Sequence, residues 1–197
     1  MVKETRPKAG FLFFSDICPM REVFLLLGSN RGNRQELLQQ ATSMISENAG
    51  TILQRSAICE TEPWGFDDPV PFLNQAIEID TLLPPEKLLE VLLEIEKKLG
   101  RIRPAKGCGC TLENMEVLKP APLPGDISPA YHSRTIDIDI LFYGTKLIFT
   151  DTLMIPHPRL HERHFALKPL GEIAPDFLHP VLRKTIKNLI KELKNKN

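Results

Sequence analysis

From Thr135 to Phe142 the chain alternates with a period of two, placing Ile136, Ile138 and Ile140 on one side and Asp137 and Asp139 on the other. Successive side chains of an extended chain point to opposite faces, so this pattern predicts a strand with one apolar face against a core. It also brings two carboxylates together outside that core, with Cα atoms roughly 7 Å apart along the strand. Whatever fold forms must bury the isoleucines and neutralise or solvate the aspartates.

The other periodicities supply partners for that strand. Glu22 to Leu27 is a short apolar run ended by Gly28-Ser29-Asn30, which reads as a buried strand and a turn. Asn33 opens a helix, with Glu36 at the capping-box position and Leu37, Leu38, Ala41, Met44 and Ile45 at helical spacing, and Gly50 is the stop. Thr51 to Thr61 and Phe72 to Asp80 read as two further strands, separated by the loop from Glu62 to Pro71. Pro84-Pro85 starts a second helix, with Leu88, Leu92, Ile95 and Leu99 as its apolar stripe and Gly100 as its cap.

The order strand-helix-strand-strand-helix-strand predicts an α+β, ferredoxin-like βαββαβ fold, an antiparallel sheet with helices on one face. A small hairpin (146–149 with 152–155), a short helix (164–171) and an amphipathic C-terminal helix follow, the last marked by Ile186, Leu189, Ile190 and Leu193. Residues 21–197 read as one domain. Residues 1–20 read as an N-terminal extension without sustained periodicity, and residues 104–130 as a long loop insertion rich in proline and glycine.

Charge and composition narrow the function. The 25 Lys and Arg balance the 25 Asp and Glu, and zero net charge argues against a dedicated nucleic-acid binder. No apolar run approaches the roughly 20 residues that span a bilayer. Asp16 cuts short the run Phe11 to Phe14, so no secretory signal is read and no membrane partner is expected. Cys108 and Cys110 lack the second ligand pair of a zinc site and, with Cys18 and Cys59, read as reduced thiols. A cytoplasmic location is expected, and the oligomeric state is left open.

The aspartate pair has basic company. Arg134 adjoins it, Arg101 and Arg103 follow the second helix, and His157, Arg159, His161, Arg163 and His164 crowd one stretch. Arginine forks bind phosphate oxygens, and two carboxylates at this spacing suit one or two magnesium ions shared with substrate phosphates. A merely polar strand face with a solvated basic surface has the same local pattern, so convergence in space decides between the readings. The G-x-x-x-x-G-K-[ST] loop is absent, leaving nucleotide binding to side chains and metal. Phe72 and Asn74 share the strand face opposite Leu73, Ile77 and Ile79, and Trp64 lies in the preceding loop. An aromatic beside an amide suits a flat, hydrogen-bonding ring; a loop aromatic packing on its own domain is the plainer alternative.

Taken in order, Leu27-Gly28-Ser29-Asn30, Thr61-Glu62-Pro63-Trp64-Gly65, Phe72-Leu73-Asn74, Glu96, Gly100-Arg101-Ile102-Arg103, Arg134 to Ile140, Pro156-His157-Pro158-Arg159 and Arg163-His164-Phe165 resemble the 6-hydroxymethyl-7,8-dihydropterin pyrophosphokinases of folate biosynthesis. The resemblance covers residues 21–180. It implies transfer of pyrophosphate from the co-substrate ATP to the pterin by direct in-line attack, giving AMP and the pterin diphosphate. It implies that Asp137 and Asp139 hold two Mg²⁺ ions, with Arg101 and Arg134 catalytic alongside them. Arg101, Arg103, Arg134, His157, Arg163 and the backbone of Ile140 would bind ATP, and Thr61, Glu62, Trp64, Phe72, Asn74 and Phe165 the pterin. The segment between Arg103 and Arg134 is longer than the family's mobile loop, and Tyr131 stands where that loop can carry a tryptophan. A non-catalytic ferredoxin-like nucleotide-binding module and a metal-dependent phosphohydrolase are the competing readings.

Overall fold

The computed structural model describes residues 22–65, 68–101 and 134–195. The N-terminal extension, the 104–130 insertion with Cys108 and Cys110, Tyr131 and the predicted ATP ligand Arg103 lie outside these residues.

The elements follow the expected order: β1 (Glu22–Ser29), α1 (Arg34–Asn48), β2 (Thr51–Arg55), β3 (Cys59–Thr61), β4 (Phe72–Asp80), α2 (Pro85–Lys98) and β5 (Asp137–Tyr143). A two-stranded hairpin of β6 (Ile148–Phe149) and β7 (Met154–Ile155) comes next, then a 3-10 turn (Leu160–Glu162), α3 (His164–Ile173) and α4 (Ile186–Lys194). The main sheet runs β2-β4-β1-β5, with β3 also paired to β4, and these pairings are all antiparallel. Asn33 caps α1, its side chain accepting from the Glu36 amide and donating to the Glu36 carboxylate.

β1 is the central strand and is buried on both faces. Val23, Leu25 and Leu27 join Ile77, Ile79, Ile138 and Ile140 beneath α1 and α2, where Leu38, Ala41, Ile45, Leu88, Leu92 and Ile95 close the core. Phe24 and Leu26 face the other way, against Ala166, Leu167 and Leu170 of α3 and Ile186 and Leu189 of α4. The two helices of the βαββαβ unit thus share one face as expected, while α3 and α4 cover the opposite one. The second predicted strand is interrupted at 56–58. There the Ser56 hydroxyl accepts from the Ala76 amide at 3.0 Å and Glu172 of α3 accepts from the Ala57 amide at 2.9 Å, so side chains take over where the ladder jogs.

A bulge in β5 bears on the site. Phe24 pairs with Phe142 and Leu25 with Ile140, leaving Leu141 as the extra residue. Its carbonyl accepts from the backbone N–H of His157 at 3.1 Å, tying the segment after the hairpin to the sheet edge.

Near the C terminus His179 is buried, its ring edge-on to Phe142 at 5.3 Å. Its Nδ1 accepts from the amides of Val181 and Leu182 at 3.3 and 3.2 Å, which requires an unprotonated Nδ1. Burial, then the nearby His161, pushes its pKa below the ordinary histidine value. The folded state therefore binds fewer protons here than the unfolded one. The stabilisation is complete above about pH 6.5 and is lost as pH falls through the folded pKa. Asn at position 179 retains an acceptor and cannot titrate. The melting-temperature advantage of wild type over His179→Asn should shrink between pH 7 and pH 5, and a constant difference across that range would contradict the assignment.

Candidate active site

The apolar rows of the sheet end at one line of residues. Gly28 of β1 pairs with Asn74 of β4 on one side and Asp137 of β5 on the other. Adjacent strands lie about 4.8 Å apart, so Asn74 and Asp137 flank a floor about 10 Å wide with a glycine in its middle. A Cβ on Gly28 would stand 3.0 Å from the Asn74 side-chain oxygen and 3.8 Å from the Phe72 ring, so the glycine keeps this floor open. Asn74 is held by Thr61, whose hydroxyl accepts from its amide at 2.8 Å.

The residues after Gly28 fasten the rim. The Ser29 hydroxyl donates to the Thr135 carbonyl at 2.5 Å. Asn30 gives its backbone N–H to the Arg134 carbonyl at 3.1 Å and accepts from the Arg134 amide through its side chain at 2.7 Å. The entry to β5 is thereby registered against the end of β1.

Asp137 is gripped from both sides, Oδ1 by Arg101 and Oδ2 by Arg134. Beneath it Glu96, 1% exposed, accepts from Arg101 and, at 2.8 Å, from the Ile138 amide. Burial opposes ionisation of Asp137, but the two guanidinium groups outweigh it and hold the carboxyl below the ordinary range. Asp139 differs. Arg163 lies 3.8 Å from its carboxylate, and burial plus the charge of Asp137, augmented by Glu96, pushes its pKa up to about 7 against the opposing pull of Arg163 and Arg134. Two residues apart on one strand, the aspartates have opposite electrostatic characters.

Arg163, at the N-cap of α3, links this cluster to the other half of the cleft. Its Nη1 is 3.3 Å from His157 Nε2, and its guanidinium lies 5.3 Å from the Trp64 ring centroid and 5.6 Å from that of Phe165. A guanidinium only donates, so Nε2 of His157 accepts and the proton resides on Nδ1. That atom is buried without a hydrogen-bond partner among the described residues. Burial, then Arg163, pushes the His157 pKa down to about 4, so the ring is neutral at physiological pH. Trp64 and Phe165 stand 6.2 Å apart at a tilt of 56°.

The structure therefore brings Arg101, Arg134, Asp137, Asp139, His157 and Arg163 into one connected polar cluster, and Thr61, Trp64, Phe72, Asn74 and Phe165 along its flank. Glu62 is exposed at the loop's start. The Ile140 side chain is buried in the core, which leaves only its backbone for a ligand. Sequence reasoning assigned no role to Gly28, Ser29, Asn30 or Glu96 individually. Glu96 did carry a signal: Leu88, Leu92 and Glu96 are spaced by four, which puts a charged residue on the apolar stripe of α2.

The donor set fits a hard cation. Among the described residues no group of three histidine, cysteine or carboxylate ligands gathers. Mg²⁺, however, needs only one or two carboxylates when substrate phosphates complete its shell. Asp139 carries the mark of a carboxylate short of positive charge, and Asp137 lies beside it. With Arg101 and Arg134 on Asp137, an incoming triphosphate offers those guanidiniums an alternative anion.

Known proteins resemble this chain in sequence and in fold. Residues 24–115 and 124–175 match the family model described as 7,8-dihydro-6-hydroxymethylpterin-pyrophosphokinase (HPPK). A 2-amino-4-hydroxy-6-hydroxymethyldihydropteridine pyrophosphokinase of Porphyromonas gingivalis is 36% identical over 162 residues, covering 82% of this chain and 95% of the relative. A Bacillus subtilis protein of the same name is 38% identical over 152 residues, 77% of each chain. Wild-type Plasmodium falciparum HPPK-DHPS, solved with pteroate, superposes with a TM-score of 0.65 at 15% identity; the match covers 90% of this chain and 45% of that one, and shows the shared fold. Family model and relatives agree: the chain belongs to the 7,8-dihydro-6-hydroxymethylpterin-pyrophosphokinase family.

Proposed function

We propose that this chain transfers the pyrophosphoryl group of ATP to 6-hydroxymethyl-7,8-dihydropterin, releasing AMP. The observation that carries the reading is the row Asn74–Gly28–Asp137, which sets a site for a flat, hydrogen-bonding ring beside a carboxylate and arginine cluster. A hydroxymethyl group on a ring seated at Asn74 points across the open glycine floor toward Asp137. Its oxygen forms a bond to the β-phosphorus of ATP, the bond from that phosphorus to the α–β bridging oxygen breaks, and AMP leaves with that oxygen. The pterin hydroxyl releases its proton to solvent, and no bond to the enzyme is made.

The chain's own groups position and neutralise. Asn74 offers amide hydrogen bonds to the pterin edge, with Thr61 fixing its orientation. Phe165, Trp64 and Phe72 provide aromatic faces for the ring, and Glu62 lies at the loop beside them. Arg101 and Arg134 turn from Asp137 to the triphosphate, and Arg163 supplies a further fixed charge. The Nδ1–H of His157, directed by Arg163, gives a buried donor suited to an anionic oxygen. Arg103 and the Ile140 backbone belong to the same ATP set on the family pattern. Asp137 and Asp139 would hold two Mg²⁺ ions, which supply charge neutralisation to the phosphates and an orienting template. Substrate binding of this kind involves neither nucleic acid nor membrane, and among the described residues no helix is long and apolar enough to cross a bilayer.

The first test is AMP formation from Mg-ATP with and without the pterin. AMP should appear only with pterin, and Asp137→Asn should slow it at least ~100-fold, as loss of a charge-stabilising group does. Phosphate release without pterin would favour a phosphohydrolase, and intact ATP a binding module. A second expectation concerns Glu96. Glu96→Gln keeps an acceptor for Ile138 but removes the charge under Arg101, and breaking a buried pair of this kind should cost about 3 kcal/mol. Urea unfolding checks this, and unchanged stability would mean that Arg101 does not depend on Glu96.

A further inference from the structure

Arg159 lies outside the polar cluster, yet its guanidinium sits 4.3 Å from the centroid of the Trp64 ring, closer than that of Arg163. Its Nε donates to Glu162 at 3.1 Å within the 3-10 turn, which fixes the plane of the fork. Tryptophan is the best aromatic partner for a cation, and a planar guanidinium can stack on it where a lysine ammonium cannot. Trp64 also has Phe165 as a neighbour, at the start of α3 and 6.2 Å away between ring centroids. Trp64 therefore neighbours both a guanidinium held by Glu162 and an aromatic ring of the proposed pterin site.

We propose that Arg159 is a positioning residue: anchored by Glu162, it holds Trp64 across the acceptor side of the cleft and so sets the affinity for the pterin without touching either substrate. The inference rests on the pyrophosphokinase reading for its choice of acceptor. Its physical basis is pre-organisation. A loop aromatic docked before the ligand arrives does not have to be ordered when the ring binds, and the cost of ordering otherwise appears as weaker binding. Half of the Arg159 side chain is exposed, so the contact is a modest one, and its loss should read as a few-fold change.

Trp64 is the chain's sole tryptophan, so the fluorescence signal comes from this ring alone and reports on its surroundings. In the full-length chain, Arg159→Ala should raise the KM for 6-hydroxymethyl-7,8-dihydropterin about three- to fivefold, leave the KM for ATP within about twofold, and make Trp64 more quenchable by acrylamide. Arg159→Lys, which keeps charge without the flat fork, should recover only part of the loss. In a Trp64→Phe background the effect of Arg159→Ala on the pterin KM should diminish, because the two residues act through one contact. An unchanged pterin KM, a parallel rise in the KM for ATP, additive effects of the two substitutions, or unaltered quenching would each overturn the proposal. Absence of pterin-dependent AMP from wild type would instead refute the functional reading, while the quenching comparison, made without substrates, would still test whether Arg159 holds Trp64.

Discussion

Burial of β1 on both faces is the constraint from which the site follows. A strand covered by α1 and α2 on one side and by α3 and α4 on the other has no polar position between its ends, and Val23 to Leu27 obey this without exception. Where the apolar run of β1 stops, at Gly28, the neighbours β4 and β5 change character in the same row, to Asn74 and Asp137. The carboxylate, amide and arginine groups of the candidate site thus gather at one end of the sheet, around its central strand. The second helical layer matters for a separate reason. α3 delivers Arg163 and Phe165 to that end, and the bulge at Leu141 ties the His157 backbone to the edge of β5.

Electrostatically the site is built from unequal carboxylates. Asp137 is saturated by Arg101 and Arg134 and stays ionised, whereas Asp139 sits next to that charge with less compensation. Glu96 deepens the asymmetry, since it engages Arg101 from below and adds negative potential at Asp139. Arrangements of this kind favour an incoming cation together with an incoming polyanion, because each removes a charge that the other would leave unbalanced. Arg163 joins the two halves of the cleft, reaching Asp139 and His157 on one side and Trp64 and Phe165 on the other.

Much of the architecture was legible from periodicity. The span Phe72–Asp80 and the isoleucine face of β5 were readable because burial on one face imposes alternation, and α2 because its stripe, prolines and glycine cap agree. The split of Thr51–Thr61 into two strands was not, since it depends on Ser56 and on Glu172, more than a hundred residues away in sequence. Of the site, the arginines, histidines and aspartates were recognisable by type, and the motifs assigned them to a family. Glu96 shows the limit: its place on an apolar stripe was visible, but a buried acid could equally have been paired elsewhere.

What the sequence by itself determined was the set of faces, meaning which residues must be buried together and which pairs, such as Asp137 and Asp139, must project side by side. Those follow from local geometry, a period of two in strands and 3.6 in helices, and need no knowledge of the rest of the chain. What only the tertiary structure decided was convergence: that Gly28 separates Asn74 from Asp137, that Glu96 lies under Arg101, and that the Arg159 guanidinium lies over the Trp64 ring. Such contacts depend on strand register and helix placement, and these are set by the packing of the whole core rather than by any segment's own pattern.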